Sequence, residues 1–96
     1  MQQPRYHLLF VPAVLADRAV DVVDLCVPSQ LHASMAIDAA RAGKHVIVEK
    51  PLTGFFGDAA TPRAEMLRHA VASADAVLAA CAKVGVRLCY AENWVY

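Results

Sequence analysis

Only four glycines occur in this 96-residue chain, at positions 43, 54, 57 and 85, and no G-x-G-x-x-G turn can be assembled from them. The chain therefore carries no glycine-rich loop of the kind that lets a backbone close on a pyrophosphate at a helix N-terminus. Long hydrophobic runs are missing as well. Asp, Arg, Lys or His interrupts every apolar stretch before it nears the roughly 18 residues of a membrane span, so no contact with a membrane is expected. The opening Met1-Gln2-Gln3-Pro4-Arg5 does not start a signal peptide, because His7 and Pro12 break the segment Tyr6 to Ala16. Nine basic residues balance nine acidic ones and lie dispersed, which leaves no electrostatic footprint for nucleic acid. Cys26, Cys81 and Cys89 stand far apart, and neither they nor the four histidines form a C-x-x-C or H-x-x-x-H pair, so no metal is expected. The cysteines are expected to be small buried hydrophobes in a reducing compartment, and a cytoplasmic location follows.

What is present is apolar. At 58% hydrophobic residues the chain should bury a core, within at most one small domain. Three runs stand out: Val22-Val23-Asp24-Leu25-Cys26-Val27, His45-Val46-Ile47-Val48 and Val86-Arg87-Leu88-Cys89-Tyr90-Ala91. They are rich in Val, Ile and Leu with little alternation, as in parallel strands covered on both faces. Asp24, a carboxylate inside the first run, is expected at an edge or facing solvent.

Between the runs the spacing changes to that of helices. Leu31 to Ala42 is Ala-rich, free of Pro and Gly, and followed by Gly43. From Met66 to Val84, the residues Leu67, Val71, Ala74, Leu78, Cys81 and Val84 recur at steps of three and four, which predicts one continuous buried stripe before Gly85. Ser29 is placed to cap the first helix, and Thr61 with Pro62 to cap the second. Both glycines fall where a left-handed residue closes a helix. Strands alternating with such helices predict right-handed βαβ units and an α/β fold: three parallel strands with crossover helices. Residues 1–20 carry a weaker pattern, a short strand plus a helical turn that ends a preceding unit.

Each run breaks off at a cluster of special residues: Pro28-Ser29-Gln30-Leu31-His32, Glu49-Lys50-Pro51 and Glu92-Asn93-Trp94. In an open parallel sheet these clusters share the carboxyl edge, where ligands bind.

The stretches Asp21 to His32, Ala42-Gly43-Lys44-His45-Val46-Ile47-Val48-Glu49-Lys50-Pro51-Leu52 and Ala91-Glu92-Asn93-Trp94 resemble the Gfo/Idh/MocA family, in the family's order and spacing. These are NAD(P)-dependent oxidoreductases named for glucose–fructose oxidoreductase, inositol dehydrogenase and a rhizopine-catabolism protein. The resemblance implies that residues 21–96 are the second half of a partial Rossmann (doubly wound) domain, with its fourth to sixth strands, the glycine-rich half and the substrate domain lying outside. It implies NAD or NADP as cofactor and a small-molecule substrate, a sugar, cyclitol or related polyol, in a full-length protein that is a homo-oligomer. Lys50 would be catalytic, beside the nicotinamide and the substrate hydroxyl, with Glu49 on the ribose side. Val27, Pro28 and Ser29 would pass under the dinucleotide, and His32 and Asn93 would stand close to it.

An ammonium near a hydroxyl oxygen stabilises the negative charge that develops as the proton leaves, which is the chemistry such a lysine would serve. Read alone, Lys50 would be a surface residue at a strand end, His32 a packing or capping residue and Asn93 a turn residue. The loop from Leu52 to Thr61 is longer and more aromatic than is usual in the family, with Phe55 and Phe56 expected to pack on a neighbouring domain or line the substrate side. The Asp and His that serve the family as acid/base partners have no counterpart here, so the chain is expected to be inactive alone. An unpaired outer edge on the first strand predicts marginal stability or association. The alternative is a free-standing, non-catalytic α/β binding or interaction module.

Overall fold

The computed structural model describes residues 11–54 and 57–91. Along the chain lie α1 (Val11–Ala16), β1 (Val22–Leu25), a single 3-10 turn (Ser29–Leu31), α2 (His32–Arg41), β2 (His45–Glu49), α3 (Arg63–Val84) and β3 (Leu88–Ala91). The strands pair side by side in the order β1-β2-β3, all parallel, with Val46 opposite both Val23 and Leu88, and Val48 opposite Leu25 and Tyr90. This is the expected three-stranded parallel sheet with crossover helices, a partial Rossmann-like α/β domain.

Both crossovers end on glycine for a steric reason. Gly43 and Gly85 adopt φ of 80° and 86°, left-handed values that a Cβ disfavours. After α2 the N–H of Gly43 bonds the Ala40 carbonyl at 2.9 Å and that of Lys44 the Ala39 carbonyl at 3.0 Å, which closes the last turn on itself. The helix starts differ from expectation. Neither helix has a side-chain cap: the 3-10 turn is inserted at Ser29–Leu31, so α2 begins at His32 with Leu31 before it, and Pro62 precedes α3. Thr61 is drawn into a turn with Asp58 instead, donating to its carboxylate at 3.1 Å and accepting from its N–H at 3.0 Å.

Consecutive strands wound in one direction by right-handed crossovers put α2 and α3 on the same side of the sheet. That side holds the core: Leu25, Val46 and Val48 from the strands, Ala36, Ala39 and Ala40 from α2, Val77 and Cys81 from α3. Val46, Val48 and Val77 are the largest side chains wholly enclosed there, each stabilising by roughly 1.5–3 kcal/mol relative to exposure. The expectation of two covered faces is not met among the described residues. On the opposite face Val22, Asp24 and Cys89 are exposed and Ile47 is half-buried. A doubly wound sheet gains its second layer from strands wound the other way. Asp24 thus faces solvent as expected, whereas Cys26 and Cys89, expected inside, are exposed, and of the three cysteines only Cys81 is buried.

The buried stripe of α3 is also displaced. Leu67, Val71, Leu78 and Val84 are exposed, Leu67 to 65%, and the covered face instead runs through Ala70, Ser73, Ala74, Val77, Ala80 and Cys81. Apolar residues at helical spacing occur on both faces of this helix. The face of small side chains is the one that lets α3 approach the alanines of α2 closely, and close approach maximises dispersion contacts.

Two side chains secure the amino end of the sheet. The buried Lys44 ammonium donates to the Asp17 carbonyl at 2.6 Å, tying the segment after α1 to the start of β2, and His45 Nδ1 accepts from the Arg87 N–H at 2.9 Å, tying β2 to β3.

Candidate functional site at the carboxyl rim of the sheet

Parallel pairing brings the strand ends together at one rim. Val27, Pro28 and Ser29 follow β1 there, half-buried, exposed and half-buried respectively, while Glu49 ends β2 and Lys50 and Pro51 follow it, all three exposed. The Lys50–Pro51 peptide is cis. Thr53, half-buried, donates to the Ala70 carbonyl at 2.6 Å and pins the loop beyond Pro51 to α3. Lys50 follows β2 and His32 opens α2 after β1, so both belong to the carboxyl end of the sheet. Asn93, Glu92 and Trp94, together with Phe55 and Phe56, lie outside the described residues.

His32 differs from its expected surroundings. It is 2% exposed, with Nδ1 2.7 Å from the Pro51 carbonyl oxygen and Nε2 3.0 Å from the Val27 carbonyl oxygen. Each ring nitrogen thus lies within hydrogen-bond distance of a backbone carbonyl oxygen, which can only accept, so the tautomer decides which one receives a neutral ring's N–H, and the ring lies beneath the rim rather than on it. The Ser29 hydroxyl makes no capping bond, and the 3-10 turn to which it belongs is closed by the Leu31 N–H on the Pro28 carbonyl at 2.9 Å.

Two groups at the rim escaped sequence reasoning. Cys26 lies one residue past the end of β1, and its thiol donates to the Asp24 carboxylate at 3.6 Å. Desolvation first, then the charge and hydrogen bond of Asp24 and the charge of Glu49, push this thiol above its ordinary value of 9.0. Thr53 is the other, a loop hydroxyl whose anchoring role required the position of α3. An alternating strand pattern reveals neither.

The rim offers an exposed ammonium, an exposed carboxylate and a turn containing proline along one edge of the sheet. Such a set can accept hydrogen bonds from hydroxyls through the carboxylate and present positive charge through the lysine. Singly directed βαβ winding of this kind is that of one half of a doubly wound, Rossmann-like sheet. Residues 11–92 match the family described as "Oxidoreductase family, NAD-binding Rossmann fold", the Gfo/Idh/MocA oxidoreductases. The chain belongs to that family, and the match takes in α1 as well as residues 21–92.

Relatives agree. Over 40 residues, 42% of the chain, it is 52% identical to levoglucosan dehydrogenase from Pseudarthrobacter phenanthrenivorans, of which that stretch is 10%. The WlbA dehydrogenase from Bordetella pertussis, solved with NADH and UDP-GlcNAcA, superposes on 93% of the chain with a TM-score of 0.66 and 29% identity. KijD10, a 3-ketoreductase from Actinomadura kijaniata solved with TDP-benzene and NADP, superposes on 82% with a TM-score of 0.62 and 35% identity. The chain covers 20% of each of these two structures. The family description itself names an NAD-binding Rossmann fold. No described helix is long and apolar enough to cross a membrane.

Proposed function

We propose that this chain supplies the nicotinamide side of an oxidoreductase that transfers a hydride between NAD or NADP and a hydroxyl-bearing carbon of a sugar, cyclitol or related polyol, with Lys50 as the catalytic residue. The observation that carries the reading is the position of Lys50: exposed, one residue beyond the β2 ladder, on the same rim as the turn at Pro28 and Ser29. A bound nicotinamide supplies the hydride acceptor or donor.

The chain's own residues do the rest of what this half of the site requires. The Lys50 ammonium stabilises negative charge on the substrate oxygen as its proton departs. Glu49 holds the ribose hydroxyls beside it. Val27, Pro28 and Ser29 form the floor under the dinucleotide, and Asn93 is assigned to the same side on the sequence alone. Three cysteines without disulfides suit a reducing compartment, the cytoplasm. The relatives named for levoglucosan and solved with a UDP-sugar support the sugar class.

The test is turnover by the whole polypeptide as the cell makes it, with NAD⁺ and NADP⁺ and a panel of levoglucosan, inositol isomers and UDP-sugars, followed by absorbance of the reduced nicotinamide. Lys50→Ala is expected to lower kcat by roughly 10²–10⁴-fold with cofactor affinity nearly unchanged. Undiminished turnover in Lys50→Ala, or no binding of either nicotinamide cofactor, would remove the proposal.

A further inference from the structure

The paired register of β2 ends at Glu49, opposite Ala91, and Lys50 is the first residue beyond it. Pro51, which follows, has no N–H to offer any neighbour. Farther along, Thr53 pins the loop to α3, but next to Lys50 itself the chain depends on what holds Pro51. The Pro51 carbonyl oxygen is held: it lies 2.7 Å from His32 Nδ1, and the opposite ring nitrogen lies 3.0 Å from the Val27 carbonyl oxygen at the end of β1.

We propose that His32 is the positioning residue for Lys50: its buried ring bridges the Val27 and Pro51 carbonyls, fixing the gap between two strand ends and bracketing the Lys50 backbone between this clamp and the β2 ladder. The inference rests on the rim being the nicotinamide edge. It replaces a direct contact of His32 with cofactor by an action through Lys50.

Three features support it. His32 is the first residue of α2, so the ring is carried by the start of a ten-residue helix whose Ala36, Ala39 and Ala40 are wholly enclosed. The ring is 2% exposed and planar, so fixing one contact also fixes the other. Carbonyl oxygens only accept, so the ring donates to both when both nitrogens carry hydrogen, and a neutral ring donates to one or the other according to its tautomer. The Lys50 side chain itself remains exposed, free to meet substrate while its backbone is constrained. A shift of about 1 Å in a reacting group can cost on the order of 10²-fold in rate, the scale on which such a clamp matters.

The test uses the whole polypeptide and four variants: His32→Ala, His32→Gln, Lys50→Ala and the double variant His32→Ala/Lys50→Ala. Amide hydrogen exchange is read for the peptides covering residues 49–54, 36–41 and 45–48. His32→Ala is expected to speed exchange in 49–54 by about tenfold, the factor one ordinary hydrogen bond is worth, and to change the other two peptides by less than about twofold. His32→Gln, whose amide can still donate, is expected to fall between wild type and His32→Ala. Unchanged exchange in 49–54, or an equal rise in all three peptides, overturns the proposal.

With a panel substrate, His32→Ala is expected to lower kcat by roughly 10–100-fold with little change in cofactor KM, and to add nothing when combined with Lys50→Ala. A double variant much slower than Lys50→Ala alone overturns action through Lys50. If instead Lys50→Ala turns over normally while His32→Ala loosens 49–54, the clamp stands and the assignment of the rim chemistry falls.

Discussion

The Lys44 ammonium and the Asp17 carbonyl, 27 residues apart in sequence, meet at 2.6 Å within the protein. Buried lysines are rare because a charge loses hydration on entering the interior, and this one is offset by a charge-assisted bond to backbone. The contact lies at the amino end of the sheet, opposite the rim that carries Lys50. Two lysines of one motif thus do different things: Lys44 joins the segment after α1 to the sheet, and Lys50 meets solvent.

Lys44→Met keeps the apolar stem but removes the donor and leaves the Asp17 carbonyl without it. The variant is expected to lose about 1–3 kcal/mol of stability, read as a shift in the urea midpoint at constant m. Turnover per folded molecule should stay at the wild-type level, because the rim is built from other contacts. A midpoint within error of wild type would show that the bond is not stabilising.

Substitutions on the two faces of the helix layer should separate cleanly. Ala40→Leu adds side-chain carbons where Ala40 is fully enclosed and is expected to cost roughly 1–3 kcal/mol through overpacking. Leu67→Ala, at a position 65% exposed, is expected to stay within about 0.5 kcal/mol. Thermal or urea denaturation of the two variants checks the assignment, and a larger loss for Leu67→Ala would mean that the outer row of α3 is covered in solution.

The Cys26 thiol is predicted to alkylate more slowly at mildly alkaline pH than the same cysteine in an unfolded chain, although it is exposed. Desolvation and Asp24 hold its proton, and the thiolate is the reactive form. Asp24→Asn removes the charge while the desolvation remains, so alkylation should speed up without reaching the unfolded rate. The same shift bears on stability. A folded-state value raised above the unfolded one means that the folded protein holds the proton longer, so its contribution is complete below 9.0 and is lost as pH rises through that value toward the higher folded one. Buried Cys81 is shifted in the same direction by desolvation. Iodoacetamide kinetics with mass-spectrometric site assignment provides the measurement.

Much of the architecture was legible in local pattern. Val46 and Val48 read as a strand because β-branched residues suit a pleated, buried surface, and Gly43 and Gly85 read as helix ends because φ near +80° suits a residue without a Cβ. The rim followed from topology, since parallel strands must end on one side, and Lys50 and Pro28 were found there. Ser29 and Thr61 misled because a hydroxyl before a helix has several competing backbone partners, and a 3-10 turn or an Asp58 turn can claim the position. The outer row of α3 misled because two apolar rows at the same period are indistinguishable in one dimension.

By itself, the order of residues determined element type, strand direction and which end of the sheet gathers Pro28, Glu49 and Lys50, because these depend on side-chain period, backbone sterics and the handedness of crossovers. Tertiary packing decided which face of α3 meets α2 and that His32 lies under the rim between two carbonyls. Those outcomes depend on how closely seams of small residues can approach and on where a carbonyl 19 residues away comes to lie. Neither distance is encoded by spacing along the chain.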